Sequence, residues 1–191
     1  MKLCDLIIRR RSIRKFKPEP IPRDILKKLV NAARVAPSAA NRQPLEFIVI
    51  DDESIKKEVF SCLKWAAYIA PKGNPKAGEE PAAYVVVLAN TMISKRDYER
   101  DVGAAMENMI LAAFEKGIGS CWIVSIDREL MRGIMNVPEE YKIDSVLALG
   151  YPIESPIEEL MKDSVKYWKD KEGRLHVPKR KIGDIIHFNQ F

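Results

Sequence analysis

The chain has 191 residues, 47% of them hydrophobic, enough for one compact domain with a real core and short for two. No apolar run reaches 18 residues and no apolar segment follows a basic start, which sets aside a membrane span and a secretory signal and points to the cytoplasm. The net charge of +5 comes from 32 basic residues interleaved with 27 acidic ones, so overall charge does not mark a nucleic-acid partner.

In chain order, residues 2–9 read as a short helix. Pro18, Pro20 and Pro22 then keep the chain irregular until a second helix starts near Pro22. Ile25, Leu26, Leu29, Val30 and Ala33 give that helix one apolar stripe, and Pro37 stops it. Phe47 to Ile50 is a buried strand, a helix follows from about Ser54, and Tyr84 to Leu88 is a second strand. Between them, residues 70–81 carry three prolines and two glycines and read as a loop. Val102 to Phe114 is apolar almost all round, so the helix it forms needs cover on every side, from a partner subunit or from its own domain. Gly117 and Gly119 end it, Cys121 to Val124 is a third strand, Asp127 caps a helix to Met135, and Val146 to Leu149 is a fourth strand. Residues 151–181 are polar and aperiodic and read as a surface run, after which Ile185, Ile186, Phe188 and Phe191 give the tail something to bury. The order implies a layered α/β or α+β domain.

The densest basic cluster is Arg9, Arg10, Arg11, Arg14, Lys15 and Lys17, in a stretch that the prolines keep out of a helix. If it is extended, Arg10, Ser12 and Arg14 face one side while Arg11, Ile13 and Lys15 face the other. Two guanidiniums flanking a hydroxyl suit a phosphate monoester or an electron-rich ring carbonyl. Taken alone, the cluster fits a solvated face or a polyanion-binding arm equally well. The small residues of the Pro37 to Pro44 loop let a ligand approach the backbone, and Ser38, Asn41 and Gln43 supply hydrogen bonds. Gly117 to Trp122 lacks the last glycine of a dinucleotide fingerprint and follows a helix, so that motif is rejected, and the side chains of Cys121 and Trp122 read as core. The three cysteines, Cys4, Cys62 and Cys121, are scattered and fit free thiols. With only His176 and His187, a histidine metal site is excluded and nucleophilic triads lack bases. Chemistry must come mostly from a bound cofactor.

Taken together, Arg10-Arg11-Ser12-Ile13-Arg14-Lys15-Phe16, Pro37-Ser38-Ala39-Ala40-Asn41-Arg42-Gln43-Pro44, the Gly117 to Trp122 turn and Gly150-Tyr151-Pro152 resemble the flavin-dependent nitroreductase family across nearly the whole chain. The resemblance implies a single α+β domain over residues 1–191, three-layered, with a central mixed, mostly antiparallel sheet flanked by helices. It also implies an intertwined homodimer with FMN at the subunit interface and residues 182–191 lying across the partner. NADH or NADPH would be the electron donor and a nitroaromatic, quinone or similar small molecule the acceptor. No side chain would serve as catalytic acid, base or nucleophile, because the flavin N5 carries the chemistry, and no metal, membrane or nucleic acid would be involved.

Carried over residue by residue, Arg10 and Ser12 would bind the flavin phosphate and ribityl chain, with Arg11 counted in the same cluster, and Arg14 would approach the pyrimidine edge. Pro37, Ser38 and Ala39 would reach the flavin from the other subunit, with Asn41 and Gln43 facing the ring or its hydrogen bonds. Trp122, Ile123, Val124 and Ser125 would place a backbone N–H near N5, and Arg180 would close on the phosphate. A lid beside the flavin has only residues 70–81 and 151–170 as candidates, with Trp65, Lys72 and Asn74 offered as ring contacts. A flavin-binding relative with dehalogenase or flavin-processing chemistry is the first alternative, and a nucleic-acid-binding arm at Arg9 to Lys17 the second.

Overall fold

A strand apolar at seven successive positions must be covered on both faces, and Ala83–Asn90 is such a strand, polar at its last residue. The computed structural model describes residues 2–191 and places this strand, β2, inside a four-stranded sheet. Its neighbours are β1 (Leu45–Ile50) and β4 (Tyr141–Gly150), and β4 also pairs with β3 (Gly119–Ile123), giving the order β1-β2-β4-β3 with every pairing antiparallel. The alternation of side chains then splits the core in two. Val85, Val87 and Ala89 join Leu147 and Leu149 on one face, while Tyr84, Val86 and Leu88 join Val146 and Ala148 on the other.

Helices close both faces. Leu26, Leu29 and Ala33 of α2 (Arg23–Arg34) and Val102, Met106, Met109 and Ala113 of α4 (Tyr98–Glu115) cover the first face, and α1 (Leu3–Arg9) packs on α4. Val59 of α3 (Glu53–Ser61) and Met131 of α5 (Arg128–Met135) cover the second. Both of these helices start at a capping aspartate: Asp52 accepts the N–H groups of Ser54 and Ile55, and Asp127 accepts that of Leu130. This is the three-layer α+β arrangement expected from the resemblance. Its parallel elements lie outside the four strands, in a bridge between Ser12 and Ser120 and in a second sheet.

That second sheet corrects the reading of residues 151–181 as irregular. β5 (Ile157–Leu160), β6 (Trp168–Lys169) and β7 (Leu175–Lys179) pair in the order β5-β7-β6. Polar bonds hold it together: His176 lies 3.0 Å from Glu159 and 3.1 Å from Asp170 through its two ring nitrogens, and stacks on Trp168. The tail does not bury its apolar residues on its own chain, since Ile185, Ile186, Phe188 and Phe191 are all exposed. α4 is buried along one side, whereas Ala104, Glu107, Asn108, Leu111 and Phe114 on its other side are only half-covered. Among the described residues, no helix is long and apolar enough to cross a membrane.

Candidate functional site

The basic arm after α1 is extended, as the prolines require, and it lies on the end of the main sheet. The Ile13 N–H donates to the Ser120 carbonyl at 2.8 Å, the Lys17 N–H donates to that of Tyr151 at 2.8 Å, and Phe16 bridges Pro152. Ile13 and Phe16 are buried beneath it. Two glycines make room for them. Gly119 and Gly150 face each other across β3 and β4; a Cβ on Gly119 would lie 2.8 Å from Ile13 Cγ1, and one on Gly150 2.7 Å from Phe16 Cδ1. The glycines of both motifs thus form the seat of the arm, a role the sequence reading missed.

Alternation sorts the remaining side chains. Arg10 and Ser12 face a cavity of about 340 Å³, which they share with Ser120, Trp122 and Val124 of the β3 edge and with Glu107 and Ile110 of α4. On the other side, Arg11 pairs with Glu158 of β5 and donates to the Ile8 carbonyl, so its guanidinium is tied down away from that cavity. Lys15 pairs with Glu79 at 2.8 Å and holds its carboxyl below the ordinary range. Arg14, grouped with Arg10 and Ser12 by alternation, does not line their cavity and lies at a seam: its N–H donates to Glu154 at 2.6 Å, and its guanidinium carbon stands 5.0 Å from the centre of the Tyr167 ring.

β3 presents alternate residues to this cavity. Cys121 and Ile123 point into the core, where burial pushes the Cys121 thiol up and keeps it from acting as a thiolate. Trp122, expected in the core, is instead 39% exposed beside Val124, because alternation sends it outward. Ser125, just past the strand, accepts the Lys64 N–H at 3.0 Å, which ties this exit to the segment carrying Trp65. Among the described residues, the Trp65 indole N–H and the Asn74 side-chain oxygen are buried without a partner, so two of the three offered ring contacts hold free polar atoms.

The second predicted segment lies elsewhere. Pro37, Ser38 and Gln43 line a separate cavity of about 420 Å³ with Asp101 and Ala105 of α4. Buried Asp101 accepts the Ala39 N–H at 3.0 Å, Ser38 Oγ accepts that of Gln43 at 3.0 Å, and the Gln43 amide donates to Asn41 Oδ1 at 3.2 Å. Ala40, Asn41 and Gln43 all adopt left-handed backbone, with φ of 51°, 54° and 52°. Such residues cost on the order of 1 kcal/mol or more each, and persist where surrounding structure imposes them. Asp101 and Glu107 are six residues apart on α4, about 9 Å along the axis and roughly 240° around it, so the two half-sites face different directions. Arg180 follows β7, donates to the Asp184 carbonyl at 2.7 Å and lines neither cavity.

The donor set around Arg10 fits a flavin phosphate. Among the described residues its guanidinium pairs only with Glu107, at 3.7 Å, which leaves the fork available, and Ser12 and Ser120 lie beside it across their bridge.

Comparisons with known proteins bear on the family and the fold. A relative from Archaeoglobus fulgidus, provisionally named as an NADH dehydrogenase/NAD(P)H nitroreductase, is 36% identical over 154 residues, which cover 77% of this chain and 83% of its own. A Thermotoga neapolitana relative named iodotyrosine deiodinase is 28% identical over 166 residues, covering 78% and 88%. The structure of an FMN-dependent nitroreductase from Clostridium difficile matches with a TM-score of 0.71 at 25% identity, over 98% of this chain and 99% of that one. The nitroreductase family model matches residues 7–151, a stretch that contains the arm, its glycine seat and the strained loop, and the chain belongs to that family.

Proposed function

We propose that this chain is an FMN-dependent oxidoreductase that takes electrons from NADH or NADPH and delivers them, two at a time, to a nitroaromatic, quinone or similar acceptor. The observation that carries the proposal is the sorting of the arm: Arg10 and Ser12 face one cavity with the β3 edge, while Arg11 and Lys15 are held elsewhere by Glu158 and Glu79. An arm built to meet an extended polyanion would leave all its cations free.

Bound there, FMN supplies two-electron transfer between donor and acceptor. Arg10, Ser12 and Ser120 hold the phosphate end. Arg14 provides positive charge where two-electron reduction adds negative charge, and Trp122 and Val124 wall the cavity against water. Because no acid or base is needed, the protein's task is to position donor and acceptor in turn at one place, a ping-pong scheme.

Two copies share each site in this reading. The support is that Pro37, Ser38 and Ala39 face away from Arg10 on the same chain, that one side of α4 is half-covered, and that the apolar tail 182–191 is exposed. Asn41 and Gln43 then approach the ring from the partner copy, and Arg180 joins the phosphate end once the tail has moved across. The whole chain 1–191 acts as one domain, in the cytoplasm, where its three free thiols stay reduced.

The purified protein is expected to be yellow, to bleach on anaerobic mixing with NADH or NADPH, and to recolour on adding a quinone or nitroaromatic. A colourless protein that takes up no FMN overturns the proposal. The iodotyrosine deiodinase relative favours a second reading, reductive dehalogenation with the same cofactor. Recolouring by a halogenated phenol but by neither quinone nor nitroaromatic would select it.

A further inference from the structure

Arg14 belongs to the arm, yet the group that meets its guanidinium does not. Its backbone is fixed by Glu154, but that bond leaves four side-chain torsions free, and an arginine on a surface arm spreads over many rotamers. The structure places one ring against it: Tyr167, whose centroid lies 5.0 Å from the guanidinium carbon, within the range of a cation–π contact.

Tyr167 is itself held from two sides. Its ring leans on Tyr68, with centroids 5.0 Å apart. It directly precedes β6, whose Trp168 donates its indole N–H to Glu159 at 2.7 Å and stacks on His176. β6 in turn packs on the turn that carries Tyr68. The outer sheet therefore ends in a single aromatic face set against the arm's charge. The Tyr167 hydroxyl makes no hydrogen bond among the described residues, so the ring face is what this position supplies.

Resting on the flavin reading above, we infer that Tyr167 is a positioning residue: it holds the Arg14 guanidinium in one orientation at the flavin site, and thereby sets how readily the bound flavin accepts electrons. Tyr68 acts one step further back, as the buttress of that ring. A preset charge costs no reordering when negative charge develops beside it, whereas a mobile one must be ordered first.

The test is the two-electron midpoint potential of the purified holoprotein, read by anaerobic dye titration. Tyr167→Leu is expected to retain FMN and to lower the equilibrium constant for reduction about threefold to tenfold, ~15–30 mV for a two-electron couple. Tyr167→Phe keeps the ring and is expected to match the native protein, and Tyr68→Leu to shift the potential in the same direction by less. In the double variant Arg14→Ala/Tyr167→Leu the potential should equal that of Arg14→Ala alone, since the ring acts only through the guanidinium.

Tyr167→Leu at the native potential with FMN bound overturns the inference, as does a double variant whose shift is the sum of the two. If Tyr167→Leu does not fold, Tyr68→Leu on its exposed ring decides, and a native potential there overturns the inference equally. A native protein that takes up no FMN overturns the functional reading itself, an outcome distinct from all of these.

Discussion

The two sheets of this molecule are held by different physics. The main sheet is sandwiched between two apolar layers, and Val85, Val86, Val87, Val146, Leu147, Ala148 and Leu149 have no measurable exposure. The outer sheet β5-β7-β6 buries Leu175 and Pro178 but otherwise relies on a histidine bracketed by two carboxylates and on stacked aromatics. Apolar burial is insensitive to pH and tolerant of salt, whereas an imidazolium between carboxylates is neither. The arm lies between them, with Arg10 against the main sheet and Arg14 against the outer one. The arm thus joins a rigid half of the molecule to a titratable half.

The largest expected effect breaks the rigid half. Met109→Ala, in the fully buried stripe of α4, should cost about 2–5 kcal/mol in urea unfolding by leaving a cavity under the sheet. A loss under about 1 kcal/mol would mean that this layer is not close-packed. Gly150→Ala should cost about 1–3 kcal/mol because its methyl would overlap Phe16, and FMN should dissociate faster because the arm loses its seat. Unchanged FMN release would detach the seat from the site.

Two arginine variants then separate the halves. Arg10→Ala should weaken FMN binding roughly tenfold to a hundredfold, the worth of a charged hydrogen bond to phosphate, with little change in potential. Arg14→Ala should mainly make the flavin harder to reduce. Equal effects of both on affinity and potential would erase the division.

The smallest effect is local and depends on pH. The carboxylates of Asp170 and Glu159 hold the His176 pKa above its ordinary value of about 6.5, so the folded outer sheet favours the imidazolium. That contribution is complete below the unfolded value and is lost as pH rises through the raised one. Glu159 and Asp170 are themselves held below the carboxylate range, so their part is present above about pH 4 and is lost as pH falls through their lowered values. The outer sheet should therefore be tightest in mildly acidic solution and loosen toward alkaline pH, read by Trp168 fluorescence, while the urea midpoint of the main sheet stays put. His176→Gln should abolish the alkaline change. A His176 NMR titration centred below 6.5 would refute the bracket.

Most of the main layer was legible because its signals are short-range. Continuous apolar runs gave β2 and β4, a 3.6-residue stripe gave α2, and Asp127 marked the start of α5. The arm was legible for the same reason: prolines forbid helix, an extended chain alternates, and alternation separated Arg10 and Ser12 from Arg11 and Lys15, although Arg14, grouped with the first pair, lies instead against Tyr167. What stayed hidden depends on distant partners. Nothing near Arg11 announces Glu158, 147 residues away, and nothing near His176 shows that Glu159 and Asp170 converge on it. β5, with its sequence Ile157-Glu158-Glu159-Leu160, has too little apolar character to read as a strand. Trp122 was misplaced because an isolated tryptophan beside a buried cysteine looks like core until the strand's phase is known. The backbone strain at Ala40, Asn41 and Gln43 carries no signal at alanine and glutamine.

The paired glycines of β3 and β4 bear on assembly as well as on fit. Gly119 and Gly150 face each other in only one register of the two strands. A slip by a single residue would bring Ser120 or Leu149 opposite one of them and put a side chain where Ile13 or Phe16 must lie. The arm that carries Arg10 and Arg14 therefore has nowhere to dock until the sheet is correctly paired. A misaligned chain would leave the arm undocked, so the glycine pair ties the placement of the arm's charges to the correct pairing of the sheet.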